Sequence, residues 1–327
     1  MKAIVYTKYG SPDVLQIKEV DKPTVGDNEL LIKVHATTVN RTDCATIRAK
    51  PFFMRIVTGL FKPNKIIPGT EFAGEVEAVG KNVTSFKAGD KVFGFDDEGA
   101  QSQAQYLAIT ENKIVTMPDN ITFEQAAASS EGAHYAYNFI NKIAPNKEQT
   151  FLVNGATGAI GSAAVQLLKY YDVNVTAVCA TKNVELVKSL GADRVIDYTE
   201  QDFTQDGQQY HCVFDAVGKS SFFKCWKLLK PGGVYLSSDL GFLAQNMYLP
   251  FITALLKPLL GGKKTIFPYP SDIKRTLLLI RKLIESGEFN AVIDRRYPLE
   301  HIIDAYKYVE KGHKTGNVVI TVEHDNT

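Results

Sequence analysis

The sequence has no long apolar run. Its most hydrophobic stretch, 251–260, is broken by Lys257 and Pro258 and falls far short of the roughly 20 residues a membrane-spanning helix needs. Cysteine is scarce: four in 327 residues, at Cys44, Cys179, Cys212 and Cys225, with no Cys-x-x-Cys pair. That spacing signals neither a zinc ribbon nor a disulfide framework, and it suits a reducing, cytoplasmic compartment. An excess of one charge is missing too. Lys and Arg total 37 against 36 Asp and Glu, a formal net charge of +1, so the bulk balance gives no pull toward nucleic acid or an anionic membrane. The first residues run straight into a strand pattern, and no leader peptide is expected. These absences leave a small molecule as the expected partner.

What is present is an ordinary globular composition, 45% hydrophobic and 22% charged, long enough for about two domains. Short β-branched or alternating runs occupy 1–7, 15–20, 29–37, 71–79, 91–94 and 103–109, with glycine turns near Gly26, Gly80 and Gly89. Strands at that spacing without helices between them predict a partly open β-barrel. After Pro118 the pattern changes. Helical stretches at 124–128 and 134–140 are followed by alternating strand and helix signals: 151–154, 160–170, 174–179, 184–190, 194–197, 211–215, 234–237 and 265–267. That alternation predicts a parallel, doubly wound sheet with helices on both faces. An amphipathic helix over 271–286 opens at Ser271 and Asp272 and stops before Gly287. A short tail follows, at 292–293, 299–311 and 317–322. The expected α/β organisation is a barrel domain, 1–122 completed by 271–327, around a nucleotide-type domain, 123–270.

The sharpest motif is the glycine-rich turn Gly155, Ala156, Thr157, Gly158, Ala159, Ile160 and Gly161, which follows the strand signal and opens a helix. Glycine is needed where the chain turns tightly, where backbone approaches a pyrophosphate, and where helix packs close on strand. Free N–H groups and the helix dipole then face the phosphates. At the tip of the next strand an NAD enzyme usually carries an acidic residue for the ribose. Here the tip reads Ala180, Thr181, Lys182 and Asn183, a set suited to a 2′-phosphate. NADPH is therefore the expected cofactor.

With these motifs the chain resembles the medium-chain dehydrogenase/reductase family, in its zinc-free quinone oxidoreductase (zeta-crystallin-like) branch. The matching stretches are 69–80, 83–93, the glycine turn with 164–167, 190–198, 214–218 and 316–319. The resemblance implies a GroES-like partly open barrel and a doubly wound Rossmann domain, with the active site in the cleft between them. Zinc alcohol dehydrogenases of the family carry Cys-Gly-Thr-Asp where this chain reads Asn40, Arg41, Thr42 and Asp43, and Gly-His-Glu where it reads Gly69, Thr70 and Glu71. No cysteine lies in 94–105, where a structural zinc lobe would sit. No metal is therefore expected. Without a Lewis acid, an electron-poor acceptor such as a quinone or an enone is the expected substrate.

Carried over by motif, residues 155–161 would hold the pyrophosphate, with Thr181, Lys182 and Tyr198 around the ribose and 2′-phosphate. Ala216, Val217, Gly218, Ser237, Ser238 and Asn317 complete the expected cofactor set. Asn40 and Thr70 would supply polar groups near the nicotinamide or the substrate carbonyl. The tyrosine that such reductases often carry shortly after position 40 is missing from Cys44, Ala45, Thr46 and Ile47. The segment 49–63, with Phe52, Phe53, Met54 and Phe61, would form either a lid or a loop packed on the barrel. A homodimer through the last Rossmann strand, near Lys264, is expected. Open alternatives are an enoyl-thioester or alkenal reductase on the same scaffold, or a non-catalytic NADPH-binding redox sensor.

Overall fold

The structure, a computed structural model, describes residues 1–52 and 54–324. It divides into two compact units, one formed by 1–131 with the chain from Asp272 onward, the other by Gly132–Ser271.

In the first unit, β1 (Lys2–Val5) and β2 (Gln16–Glu19) form an antiparallel ribbon. Then come β3 (Glu29–Val39), α1 (Arg41–Arg48), α2 (Met54–Thr58), β4 (Glu71–Val79), β5 (Lys91–Phe95), β6 (Tyr106–Thr110), β7 (Ile114–Thr116) and α3 (Phe123–Ala127). β3 organises this unit. From Ile32 to Ala36 its Ile32, Val34 and Ala36 are buried while Lys33 and His35 are half-buried, the period-two pattern of a strand with one face on a core. It pairs with β4 along one edge, with two register shifts that curl the sheet.

The second unit contains α4 (Glu131–Asn141), β8 (Thr150–Asn154), α5 (Ala159–Tyr170), β9 (Asn174–Cys179), α6 (Val184–Ser189), β10 (Arg194–Asp197), β11 (Tyr210–Asp215), β12 (Leu229–Ser237), α7 (Gln245–Leu255) and β13 (Lys264–Ile266). Its six parallel strands lie in the order β10-β9-β8-β11-β12-β13. This is the doubly wound arrangement, in which the strand order reverses direction between β8 and β11. The chain then returns to the first unit through α8 (Ile273–Glu285), β14 (Ile293–Pro298), α9 (Ile302–Glu310) and β15 (Asn317–Thr321). These strands complete a seven-stranded sheet, β14-β15-β3-β4-β5-β7 with β6 on β3.

Each unit has its own apolar core: Ile4, Ile32, Phe72, Tyr306 and Ile320 in the first, Leu152, Val178, Val213, Phe222 and Tyr235 in the second. The first unit runs on to Glu131 where the sequence pattern ended it at 122. The reason is local: α3 packs on β3 and β4, and the Glu131 amide donates to Glu71 Oε2 at 2.7 Å. In the segment 49–63, Phe52 and Phe61 are 71% and 87% exposed and so are not packed on the sheet. Phe53 lies outside the described residues.

Candidate functional site

Two groups of residues carry chemistry, one in each unit. In the second unit the glycine turn leaves β8 at the carboxyl end of the sheet, at the switch point where open α/β sheets take ligands. Its glycines have different reasons to be glycine. Gly155 has φ +78°, and a Cβ there would meet Val217 Cγ1 at 2.2 Å. A Cβ on Gly161 would meet the Gly155 carbonyl oxygen at 2.1 Å. Both answer to the fold itself. Gly158 does not: its nearest neighbour for an added Cβ is 3.8 Å away, and its φ of −72° suits any residue. It caps the N-terminus of α5, whose first N–H groups have no partner within the helix. A cradle that the protein leaves open at a helix N-terminus fits a bound pyrophosphate.

Around the turn the strand ends are tied together. Asn154 Nδ2 donates to Asp215 Oδ1 at 3.0 Å across the β8–β11 pair. Asp215 is fully buried and also accepts from the amides of Val217, Gly218 and Ser220 and from Tyr235 Oη. It fixes the loop that carries Ala216, Val217 and Gly218. Ser237 and Ser238 follow at the end of β12, where the Ser238 amide donates to the Asp215 carbonyl. At the tip of β9, Thr181 and Lys182 are exposed and Tyr198 is 57% exposed. Asp197 pairs in register with Cys179 at the end of β9. Hydrogen bonds from the Thr181 and Thr199 hydroxyls hold its carboxyl below the usual carboxylate range.

The second group lies in the first unit and is buried. Asn40 caps α1, and its backbone amide donates to Asp43 Oδ2 at 2.7 Å. Its side-chain Nδ2 donates to Glu71 Oε1 at 2.8 Å and to Asn317 Oδ1 at 3.2 Å, with Thr38 Oγ1 at 3.3 Å. Lys314 Nζ donates to Asn40 Oδ1 at 2.9 Å. Thr70 Oγ1 donates to Glu131 Oε2 at 3.4 Å, while Glu131 Oε1 has no hydrogen-bond partner among the described residues.

Three buried carboxyl groups thus sit close to one half-buried amine, where burial disfavours every charged form. Burial, then the charge of Glu131, pushes the Glu71 carboxyl up to about 8. The same two causes push Asp43 well above the usual range. Burial also raises Glu131, against the hydrogen bonds of Thr42, Asn40 and Thr70 and the charge of Lys314. Burial draws the Lys314 ammonium down to about 8, although Glu131 and Glu71 pull it up.

Residues 190–320 match the zinc-binding dehydrogenase family and residues 26–119 the alcohol dehydrogenase GroES-like domain. The chain is 32% identical to 2-methylene-furan-3-one reductase of Solanum lycopersicum, over 98% of its own length and 79% of that protein. It is 31% identical to a chloroplast envelope quinone oxidoreductase homolog of Arabidopsis thaliana, over 98% of both. The quinone oxidoreductase of Coxiella burnetii superposes with a TM-score of 0.87 at 25% identity, over 99% of each chain. The chain belongs to the quinone oxidoreductase branch of the medium-chain dehydrogenase/reductase family.

As a quinone oxidoreductase relative it is an enzyme, and its two units are the family's GroES-like and Rossmann domains. The family's zinc is a poor match to the residues present. Around positions 40 and 70 the donors are an amide, a hydroxyl and carboxyl oxygens already bonded to one another. Cys44 Sγ is turned to the Tyr306 carbonyl at 4.0 Å, and burial pushes its thiol up. Zinc sites are built on thiolate or imidazole ligands, with carboxylate only in part, in tetrahedral array, and among the described residues no group of His, Cys, Asp and Glu is placed to hold a metal ion.

The structure brings Asn40, Thr70 and Asn317 into one cluster. Asn317 belongs there, its amide donating to the carbonyls of Ala128 and Val292. Sequence reasoning missed Glu131, Lys314, Asn154 and Asp215. A visible signal existed for two of them: Glu131 opens a helix directly after Ser129 and Ser130, and Asp215 follows the apolar run Cys212, Val213 and Phe214 at the end of its strand.

Proposed function

We propose that the chain transfers hydride from NADPH to a quinone or a similar conjugated carbonyl, without zinc. The observation that carries this reading is the state of positions 40 and 70. Their side chains are built into a hydrogen-bonded cluster with Glu71, Glu131 and Lys314 instead of standing free as ligands. Bound NADPH supplies a hydride from its nicotinamide. Residues 155–161 hold the pyrophosphate through the start of α5. Thr181, Lys182 and Tyr198 take the 2′-phosphate and ribose, and Ala216, Val217, Gly218, Ser237 and Ser238 line the rest of the cofactor site.

An acceptor that gains hydride must also gain a proton on oxygen. Burial and the charge of Glu131 push the Glu71 carboxyl up to about 8, and the raised Glu131 carboxyl adjoins the Thr70 hydroxyl. Thr70 is thus the group suited to pass a proton, while Asn40, itself bonded by Lys314, holds Glu71 in place. A conjugated acceptor spreads the developing charge, so hydrogen-bond donors suffice where a saturated ketone would need a metal.

A second reading, reduction of an alkenal or enone, is favoured by the tomato relative, which is named for a methylene-furanone. NADPH loss followed with an ortho-quinone and a linear enone side by side, with NADH as control, separates the two. Faster quinone turnover supports the first reading and faster enone turnover the second. NADPH binding without turnover on either makes the chain a sensor.

The unpaired edge of β13 suits a homodimer, which a light-scattering mass of one chain would refute. Residence in the cytoplasm rests on the four free cysteines.

A further inference from the structure

Helix α7 carries its apolar residues on the side opposite to that of an ordinary surface helix in water. Asn246, Leu249 and Thr253 face inward, each under 5% exposed, and Thr253 Oγ1 accepts from the Thr265 amide of β13 at 3.1 Å. Outward stand Met247, Phe251 and Leu255, four residues apart on one face, extended at either end by Leu243 and Leu259. These five are 48% to 82% exposed. A surface helix normally buries its greasy stripe, and a continuous exposed apolar patch marks a surface made for a partner or a membrane.

The charge around the patch says which. Between Asp239 and Asp272 there is no acidic residue, and the segment carries Lys257, Lys263 and Lys264. Lys263 is turned onto the ring and carbonyl of Trp226, whereas Lys257 and Lys264 are exposed. The same signature recurs independently in the first unit. Segment 44–70 has five basic residues and no acid, with Phe52, Ile56 and Phe61 exposed by 71% to 87%. Three of its basic side chains are engaged locally, Arg48 with Glu310, Lys65 with the Gly99 carbonyl and Arg55 over the rings of Tyr9 and Phe52. Together the two segments hold none of the chain's 36 acidic residues and eight of its 37 basic ones.

We propose that the outward face of α7, flanked by Lys257, docks on an anionic lipid surface. Phe, Leu and Met side chains beside lysine are the composition of a helix that lies in the headgroup region. Among the described residues no helix is long and apolar enough to cross a membrane, so the contact is peripheral. A second copy fits less well. A two-fold contact brings the same patch to itself, which would set Lys257 near its own mate with no acidic side chain of the segment to answer it. The proposal does not depend on the reaction; it would place the enzyme beside acceptors that dissolve in lipid.

The test is co-sedimentation of the full chain with large vesicles of phosphatidylcholine alone and of phosphatidylcholine with about a third phosphatidylglycerol. The variants are Phe251→Ser/Leu255→Ser and Lys257→Glu, with the melting temperature as a check on folding. The expected result is binding to the anionic vesicles that weakens in high salt. It should fall roughly tenfold or more in the double variant, which loses two apolar side chains that would enter the lipid, and several-fold in Lys257→Glu. No binding to anionic vesicles overturns the proposal, as does binding that both variants leave unchanged. A light-scattering mass that drops to one chain only in the double variant, without vesicle binding, assigns the face to a second copy and overturns it as well.

Discussion

The nucleotide turn and the buried polar cluster are opposite kinds of site. At the turn, the fold has settled its own needs at Gly155, Gly161 and Asp215 and left room beside Gly158, at the N-terminus of α5. In the cluster nearly every polar atom is spent on a neighbour, and only Glu131 Oε1 stands without a partner among the described residues. The turn waits for a ligand that brings its own charge. The cluster is held by hydrogen bonds among its own members. A residue in the first kind of site can be tested by affinity, and one in the second also by stability.

The largest effect should come from the cluster. Lys314→Met leaves Asn40 Oδ1 without its charged donor and the Glu71 and Glu131 carboxyls without the positive charge near them, and a buried polar group that loses a charged partner costs about 3 kcal/mol. Urea unfolding measures it. A loss below about 1 kcal/mol would mean that the carboxyls are neutral without the lysine. Gly161→Ala should follow, at about 2 kcal/mol, because its Cβ would collide with backbone rather than with a yielding side chain. Gly158→Ala breaks the pattern on purpose. Nothing in the protein opposes that methyl group, so stability should fall by less than about 1 kcal/mol, the cost of alanine at an N-cap, while the NADPH dissociation constant, read by calorimetry, rises about tenfold. Equal losses of stability in the two glycine variants would erase the distinction between fold glycine and ligand glycine.

The cluster also has a pH signature. Glu71 is raised from 4.5 to about 8 in the folded chain, so folding favours its protonated form. That contribution is complete below the unfolded value and fades as pH climbs to about 8. Glutamine at 71 cannot titrate. The stability of the native chain minus that of Glu71→Gln should therefore shrink by about 1 kcal/mol or more from pH 5 to pH 8, read from paired thermal melts. A flat difference would mean that Glu71 is already ionised at pH 5.

Much of this could be read from the sequence where the signal is local. The alternation along 29–37 and the glycine turn each sit within a dozen residues, and both are found as expected. The cluster was not legible because its members are far apart in the chain: Asn40 meets Lys314 and Asn317 across 274 and 277 residues. Asn40 and Thr70 stood out only through the family's pattern. Helix α7 was hidden for another reason. Apolar on its outer side, interrupted by Pro250 and following Gly241, it shows no amphipathic stripe of the usual sense. The near-neutral total charge hid its setting as well, since an average over the chain erases acid-free segments.

The smallest effect bears on the cofactor, and the register of β10 beside β9 is what exposes it. No acidic residue ends β9, which favoured NADPH, yet Asp197 ends the adjacent strand and pairs with Cys179. Its carboxyl, lowered by Thr181 and Thr199, is ionised across the neutral range. It accepts from the amide and hydroxyl of Thr199 at 2.9 and 2.6 Å. If Thr181, Lys182 and Tyr198 receive a 2′-phosphate, Asp197 is a like charge nearby, screened by solvent. Asp197→Asn should then lower the NADPH Michaelis constant by roughly two- to threefold and leave that for NADH alone. Lys182→Ala should raise the NADPH constant only. The opposite pattern, a rise for NADH with NADPH unchanged in Asp197→Asn, would mean that the carboxylate binds a ribose hydroxyl. The acid of an NAD site would then sit one strand over from its usual place.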